Sequence, residues 1–199
     1  MRERASRLVV IFTAFFAGLA LCLGVILFVG GRGAGTSVIQ AAPIGGPFDL
    51  IDQDGQPFSD QELKGKTFLV FFGFTHCPDV CPTTLFEISE IMRNLGPEAD
   101  RTAALFISVD PERDTPEAMK DYLASFDPHL RGLTGDAGAL AAVAKAYRVY
   151  YKKVPLEGDD YTMDHTAIVY LMDKEGRFIS PFNMKRTTDV AAADLRKHL

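Results

Sequence analysis

The 199-residue chain has no tryptophan and only three cysteines, and one of these, Cys22, lies in an apolar N-terminal run. The two left for the globular part exclude a disulfide-stapled scaffold. A bridge between them, Cys77 to Cys81, would close too short a loop to restrict the unfolded chain much, so a redox pair or a metal site fits better. Basic charge is scarce as well. The net charge is -5, and the first 32 residues carry +3, from Arg2, Arg4, Arg7 and Arg32 against Glu3, which leaves -8 for the rest. An acidic domain argues against nucleic acid as a partner, because holding phosphates takes a basic face. There is no internal repeat and no low-complexity segment. A hydrophobic content of 47% excludes a disordered chain and suffices for one domain with a core.

Charge is absent altogether over the 24 positions from Leu8 to Gly31. At about 1.5 Å rise per residue, a helix of that length crosses a hydrocarbon core of roughly 30 Å. A transmembrane anchor over residues 1–32 is expected rather than a cleaved signal, since no small-x-small site closes the run. Cys22 is then a passive apolar residue. Three arginines before the span and one after it place the N-terminus in the cytoplasm and the domain outside. With a span beginning at residue 8, the expected setting is a bacterial inner membrane with the domain in the periplasm, where dithiols oxidise unless protected. Residues 33–46, rich in Gly, Ala, Thr and Pro, read as a flexible tether to a domain over 47–199.

The domain opens with a hairpin signal, Phe48 to Asp52, a Gln-Asp-Gly-Gln turn, then Pro57-Phe58. Phe68 to Phe72 has the length and aromatic content of a strand buried on both faces. A helix to about Asn94 follows, then a strand Ala103 to Val109. Thr115 is placed to cap a helix starting at Pro116. Leu140, Val143, Ala144 and Tyr147 have helical spacing. Val149–Val154 and Tyr161–Met172 are strand candidates, Asp173-Lys-Glu-Gly is a turn before Arg177–Ile179, and a last helix runs from about Thr188 to His198. Strands alternating with helices, then a hairpin and a helix, make a mixed α/β sheet.

The buried strand breaks at Gly73 into the loop Phe-Thr-His-Cys-Pro-Asp-Val-Cys-Pro. Proline after each cysteine disfavours helical backbone at both, and Pro82 suits a first helical position. Cys77 is expected in the turn and Cys81 at the helix mouth, where free N–H groups and the helix dipole favour thiolate. Two cysteines alone leave four readings: metal, redox dithiol, structural bridge or packed thiols. Of the four histidines, His198 at the terminus and His129 in a surface loop read as inert. His76 adjoins Cys77 but points away on extended backbone, which suits packing or tuning of the thiolate. His165 lies in a loop at the mouth of an apolar strand beginning at Ala167, with Asp164 before it to orient the ring. If His165 folds over the pair, two thiolates and an imidazole suit copper, since structural zinc takes four protein ligands. Asp79 is either a turn former or a charge that tunes the site or weakly contacts Cu(II), and Met163, which could offer a thioether, fits better as a core or rim residue.

Gly73 to Pro82, Ser-Val-Asp-Pro-Glu-Arg-Asp-Thr-Pro at Ser108 to Pro116 and Asp-Tyr-Thr-Met-Asp-His-Thr at Asp160 to Thr166 resemble, in order, the motifs of the Sco/SenC family. These are membrane-tethered, thioredoxin-like proteins that deliver copper to cytochrome c oxidase. The resemblance covers the chain from about Pro47 onward. It implies a thioredoxin-like α/β fold, with one copper, Cu(I) or Cu(II), held by Cys77, Cys81 and His165. It also implies the CuA domain of oxidase subunit II as recipient, with a periplasmic copper chaperone or thiol reductase as further partners. The protein is then a metallochaperone rather than an enzyme. The alternative is a thiol–disulfide reductase using Cys77 and Cys81 to keep the CuA cysteines, or other periplasmic thiols, reduced. Against that stand the missing tryptophan, the three-residue spacing where thioredoxins have two, and a histidine rather than a proline before Ala167.

Overall fold

In the computed structural model the backbone is described for residues 2–31 and 43–199, and the side chains for 12–13, 15–28 and 43–199. The chain divides into two units, Met1–Ala42 and Pro43–Leu199. In the first unit, helix α1 occupies Arg2–Gly31. Among the described residues no helix is long and apolar enough to cross a membrane. Both ends of the expected span, and the tether from residue 33 to 42, fall outside the described side chains.

The second unit is organised around β3 (Thr67–Gly73), whose seven residues are all buried. It can be so because it has a strand on either side. β4 (Thr102–Ser108) runs parallel to it and β8 (Val169–Met172) antiparallel. The chain adds β1 (Asp49–Asp52), β2 (Pro57–Ser59), β5 (Leu130–Thr134) and β9 (Phe178–Pro181), giving a seven-stranded mixed sheet in the order β2-β1-β5-β4-β3-β8-β9. Helices α2 (Val80–Leu95), α3 (Pro116–Leu123), α4 (Ala137–Ala146) and α5 (Thr188–Arg196) flank it. This is the thioredoxin-like α/β arrangement.

Local signals explain the elements. Buried Cys81, Leu85, Ile88, Met92 and Leu95 recur at helical spacing along one face of α2, which packs against α5. The Thr115 side chain accepts from the Ala118 amide, and Asp136 caps α4 in the same way through Ala139. In the parallel register Gly73 stands opposite Ser108, so the loops leaving β3 and β4 start side by side, joined by Val109 N–H donating to the Gly73 carbonyl at 2.8 Å.

One expected strand divides in two. Tyr161–Met172 is broken after His165 into β7 (Tyr161–His165) and β8, with residues 166–168 in neither. β7 pairs only with β6 (Tyr151–Pro155), as an antiparallel ribbon outside the main sheet, with Tyr151 opposite His165. The pattern accounts for the break. Met163 inside and Asp164 outside alternate as in a ribbon with one wet face, whereas Val169–Met172 is buried throughout. Between them Ala167 and Ile168 are exposed, and Thr166 closes the ribbon, its N–H donating to the Tyr150 carbonyl and its Oγ1 accepting from the Tyr150 amide. His165 is therefore the last residue of a strand, not a loop residue.

Candidate metal centre

Cys77 sits in the turn after β3, its N–H donating to the Phe74 carbonyl at 3.2 Å, and keeps 9% of its surface exposed. Cys81 is fully buried. Helix α2 begins at Val80, so Cys81 has helical backbone and Pro82 is the third helical residue, against the expected start at Pro82. The first-turn N–H groups have no intrahelical acceptor, so a proline there costs no hydrogen bond. The Cys81 N–H donates instead to Cys77 Sγ at 3.4 Å. Neither cysteine is in a disulfide.

The expected thiolate at the helix mouth is corrected as well. Burial pushes the Cys81 thiol far above its ordinary range; a backbone hydrogen bond at Phe74 offsets part of this, while Cys77 and the carboxylate of Asp114 add to it. Desolvation outweighs the helix dipole here, and without a metal Cys81 is a thiol.

His165 Nε2 lies 3.5 Å from Cys81 Sγ. Its Nδ1 is 3.3 Å from the Thr166 carbonyl, which can only accept, so Nδ1 carries the proton and the Nε2 lone pair faces the sulfur. Burial lowers the imidazole pKa, against smaller upward pulls from the Thr166 carbonyl and Asp164, which keeps the ring neutral. Phe71 and Phe74 meet it edge-on, with centroids at 6.2 and 5.8 Å.

The two sulfurs and Nε2 all lie within 4.8 Å of one another. An ion bound at about 2.3 Å to sulfur and about 2.0 Å to nitrogen in a plane needs ligand atoms roughly 3.5–4 Å apart. The Cys81–His165 pair already meets that, and small side-chain rotations suffice for the rest. The donor set fits a soft cation.

The other candidates fall outside this group. His76 is exposed, its Nδ1 3.0 Å from Thr75 Oγ1. Asp79 is exposed at the N-cap of α2 and makes no side-chain cap. Asp164 is exposed on the face of β7 opposite Met163 and His165, so the ring is oriented by the Thr166 carbonyl and not by this carboxylate. Met163 is buried rim packing. His129 is engaged by Asp127 and Asp100, far along the chain from the three ligands.

The sequence alone assigns no role to the loop after β4, from Asp110 to Thr115, which supports the site from outside. Asp114 is fully buried and accepts from Thr75 Oγ1 and Ser108 Oγ, both at 2.6 Å, and from the Thr75 amide at 3.2 Å. It thereby ties down the loop carrying Cys77. Arg113 Nε donates to Asp110 at 2.6 Å and its Nη1 to the Tyr161 carbonyl at 2.8 Å, reaching the ribbon that carries His165. A dense run of charges directly after a buried strand is the signal that marks such a loop.

A family model described as SCO1/SenC matches residues 36–199. A SCO2-like protein of Rickettsia prowazekii is 41% identical over 154 residues, which are 76% of this chain and 73% of that protein. The mitochondrial SCO1 homolog of Mus musculus is 42% identical over 163 residues, 78% of this chain but only 57% of the mouse protein. Among solved structures, that of Bradyrhizobium japonicum ScoI with copper bound is 65% identical with a TM-score of 0.77, covering 78% of this chain and 99% of that one.

Proposed function

The chain belongs to the SCO1/SenC family, and from that premise we propose that it binds one copper ion through Cys77, Cys81 and His165 and passes it to the CuA centre of cytochrome c oxidase subunit II during assembly. The observation that carries the reading is the convergence of two sulfurs and an unprotonated imidazole nitrogen within 4.8 Å. No other His, Cys, Asp or Glu among the described residues joins them. Thiolate and imidazole favour copper over harder cations, and three ligands leave room for a client's ligand to enter as the cargo departs. Loading Cu(I) forms a Cu–S bond at Cys81 and expels the thiol proton. The proton passes to solvent, which leaves the lone pair of His165 Nε2, 3.5 Å from the sulfur, free to take the ion.

The uncharged run from Leu8 to Gly31 supports an anchor, with the domain on the periplasmic side of a bacterial inner membrane, where a tethered domain would stay near a membrane-bound client. A reductase would attack through Cys77, the sulfur that keeps some exposure, with buried Cys81 as the resolving thiol. It finds less support because disulfide exchange has no use for the imidazole nitrogen held 3.5 Å from Cys81 Sγ.

The test is an anaerobic Cu(I) titration of the reduced full chain in detergent against a competing chelator, followed by mixing with the apo CuA domain of subunit II. One tight equivalent is expected, weakened by Cys77→Ala, Cys81→Ala and His165→Ala alike and transferred to the CuA domain. Weak Cu(I) binding, with rapid reduction of a disulfide-bonded CuA domain, would sink the chaperone reading in favour of the reductase.

A further inference from the structure

The β6–β7 ribbon presents His165 yet does not join the main sheet, so something other than sheet pairing must set the distance from Nε2 to the two sulfurs. The ribbon's side-chain ties lead to the loop after β4. Arg113, with 18% of its side chain exposed, donates from Nη1 to the Tyr161 carbonyl at 2.8 Å, with the Asp160 carboxylate at 3.4 Å. Its guanidinium carbon lies 3.7 Å from the centroid of the Tyr161 ring, and Nη2 is buried with no hydrogen-bond partner, the aromatic face standing in for one. Tyr161 OH donates to Asp110 at 2.8 Å, and Asp110 also takes the Arg113 Nε. Lys153 on β6 pairs with Glu112 and lies 3.8 Å from the same Tyr161 ring.

The same short loop holds the cysteine side through Asp114 and Thr75. Phe74 closes the circuit, since Arg113 lies 5.8 Å from its ring on one side and the His165 ring meets it at 5.8 Å. Residues 110–114 thus splint together the two segments that carry the ligands. Tyr161 is four residues before His165, about 13 Å along the strand, so a grip there fixes the direction of the ribbon without touching the ligand.

We infer that Arg113 is a positioning residue for the metal centre: its forked contact with Asp110 and the Tyr161 carbonyl, with the stack on Tyr161, holds the ribbon so that His165 Nε2 stays within ligating reach of Cys77 and Cys81. The inference rests on the copper reading above and deepens it. A guanidinium can make these directed bonds at once, and an ammonium cannot. Losing such outer support typically costs about 10–100-fold in metal affinity.

The experiment uses the reduced full chain in detergent with Arg113→Gln and the charge-retaining Arg113→Lys. In the metal-free protein, selectively labelled histidine reports the His165 ring protons, which Phe71 and Phe74 displace from free-histidine values. Both variants are expected to move these signals toward free histidine and to weaken Cu(I) by about 10–100-fold. Combined with His165→Ala, neither is expected to add any further loss, because the effect acts through that ligand. Unmoved His165 signals, full affinity with Arg113→Lys, or a loss that adds to that of His165→Ala would overturn the assignment. If the wild-type chain took up no Cu(I), the copper reading would fail, while the histidine signals would still decide whether Arg113 places His165.

Discussion

Gly73→Ala tests how tightly the centre is built into the core. Gly73 ends β3, pairs with Ser108 and accepts from the Val109 amide at 2.8 Å. Its backbone is one any residue can adopt, so glycine is there for space. A Cβ at this position would lie 2.7 Å from Cys81 Sγ and 2.7 Å from Phe106 Cε2, both on fully buried residues. The Phe106 ring is hemmed in by Phe71 at 6.1 Å and Tyr122 at 5.8 Å, so Cys81 is the partner that must give way. Overpacking of this kind costs about 1–3 kcal/mol, and each kcal/mol lowers Tm by about 2–4 °C in a domain of this size, so a fall of about 2–12 °C is expected. Displacing a ligand sulfur should weaken Cu(I) at the same time. Differential scanning calorimetry and chelator competition read the two effects. In a Cys81→Ala background one of the two clashes is gone, and the same substitution should cost less. Gly55→Ala is the contrast: φ there is +74° with open space around it, so it should strain the turn and leave copper affinity alone. A Gly73→Ala chain with unchanged Tm and unchanged affinity would refute the reasoning.

Because burial holds Cys81 as a thiol, Cu(I) loading must expel its proton, and the logarithm of affinity should climb by at least about one per pH unit between pH 6 and 8; a flat profile in a chelator titration would show that Cys81 is already ionised. His129 behaves with the opposite sign from a buried neutral histidine. Burial alone would lower its pKa, but Asp127 at 2.7 Å and Asp100 at 3.1 Å raise it on balance, so its stabilising effect is full below about pH 6.5 and is lost as pH rises through the folded value. His129→Gln should therefore lower Tm at pH 5 more than at pH 8, modestly because the group is partly exposed, and equal losses at both would sink the idea. Asp114→Asn replaces an acceptor of three hydrogen bonds with a group that must also donate, and should cost about 1–3 kcal/mol in urea unfolding. The same variant should loosen the Cys77 loop enough to raise thiol reactivity toward an alkylating reagent.

What the sequence reveals about this centre follows how local each determinant is. The unbroken apolar run of β3, the Thr115 cap with Pro116 behind it and the hairpin over residues 48–58 are written within a few neighbouring residues, and each forms as its own stretch indicates. The ionisation of Cys81 is not of that kind. Its position at a helix mouth is local and favours thiolate, but burial by distant segments packed around the sulfur opposes this and outweighs it. Asp164 fails for a similar reason: adjacency in sequence suggested a partner for the ring, while the alternation of β7 turns the carboxylate to the other face. Nothing local ties His165 to Cys81, 84 residues earlier, and only the resemblance carried by the surrounding motifs joins it to the cysteines.

The division between β7 and β8 gives that distance a physical meaning. Cys81 sits fully buried in the first turn of α2, and Cys77 in the short turn that joins it to the buried strand β3 and that Asp114 ties down through Thr75. The imidazole sits on a two-stranded ribbon with no ladder to the main sheet, and isolated ribbons of that size are marginal without side-chain ties. A site built wholly on the sheet would hold a soft cation rigidly, and one built wholly on loops would not preorganise it. With Cys81 in the core, Cys77 tied to it through a short turn and His165 on a ribbon braced by Arg113 and Tyr161, the histidine is the ligand whose release costs the fold least. In the copper reading the client's ligand would enter on that side, and weakening the brace should speed copper transfer to an acceptor while lowering equilibrium affinity. Stopped-flow transfer from Arg113→Lys to a chelator, compared with wild type, measures this directly. A slower transfer from the weaker-binding variant would show that cargo leaves from the cysteine side instead.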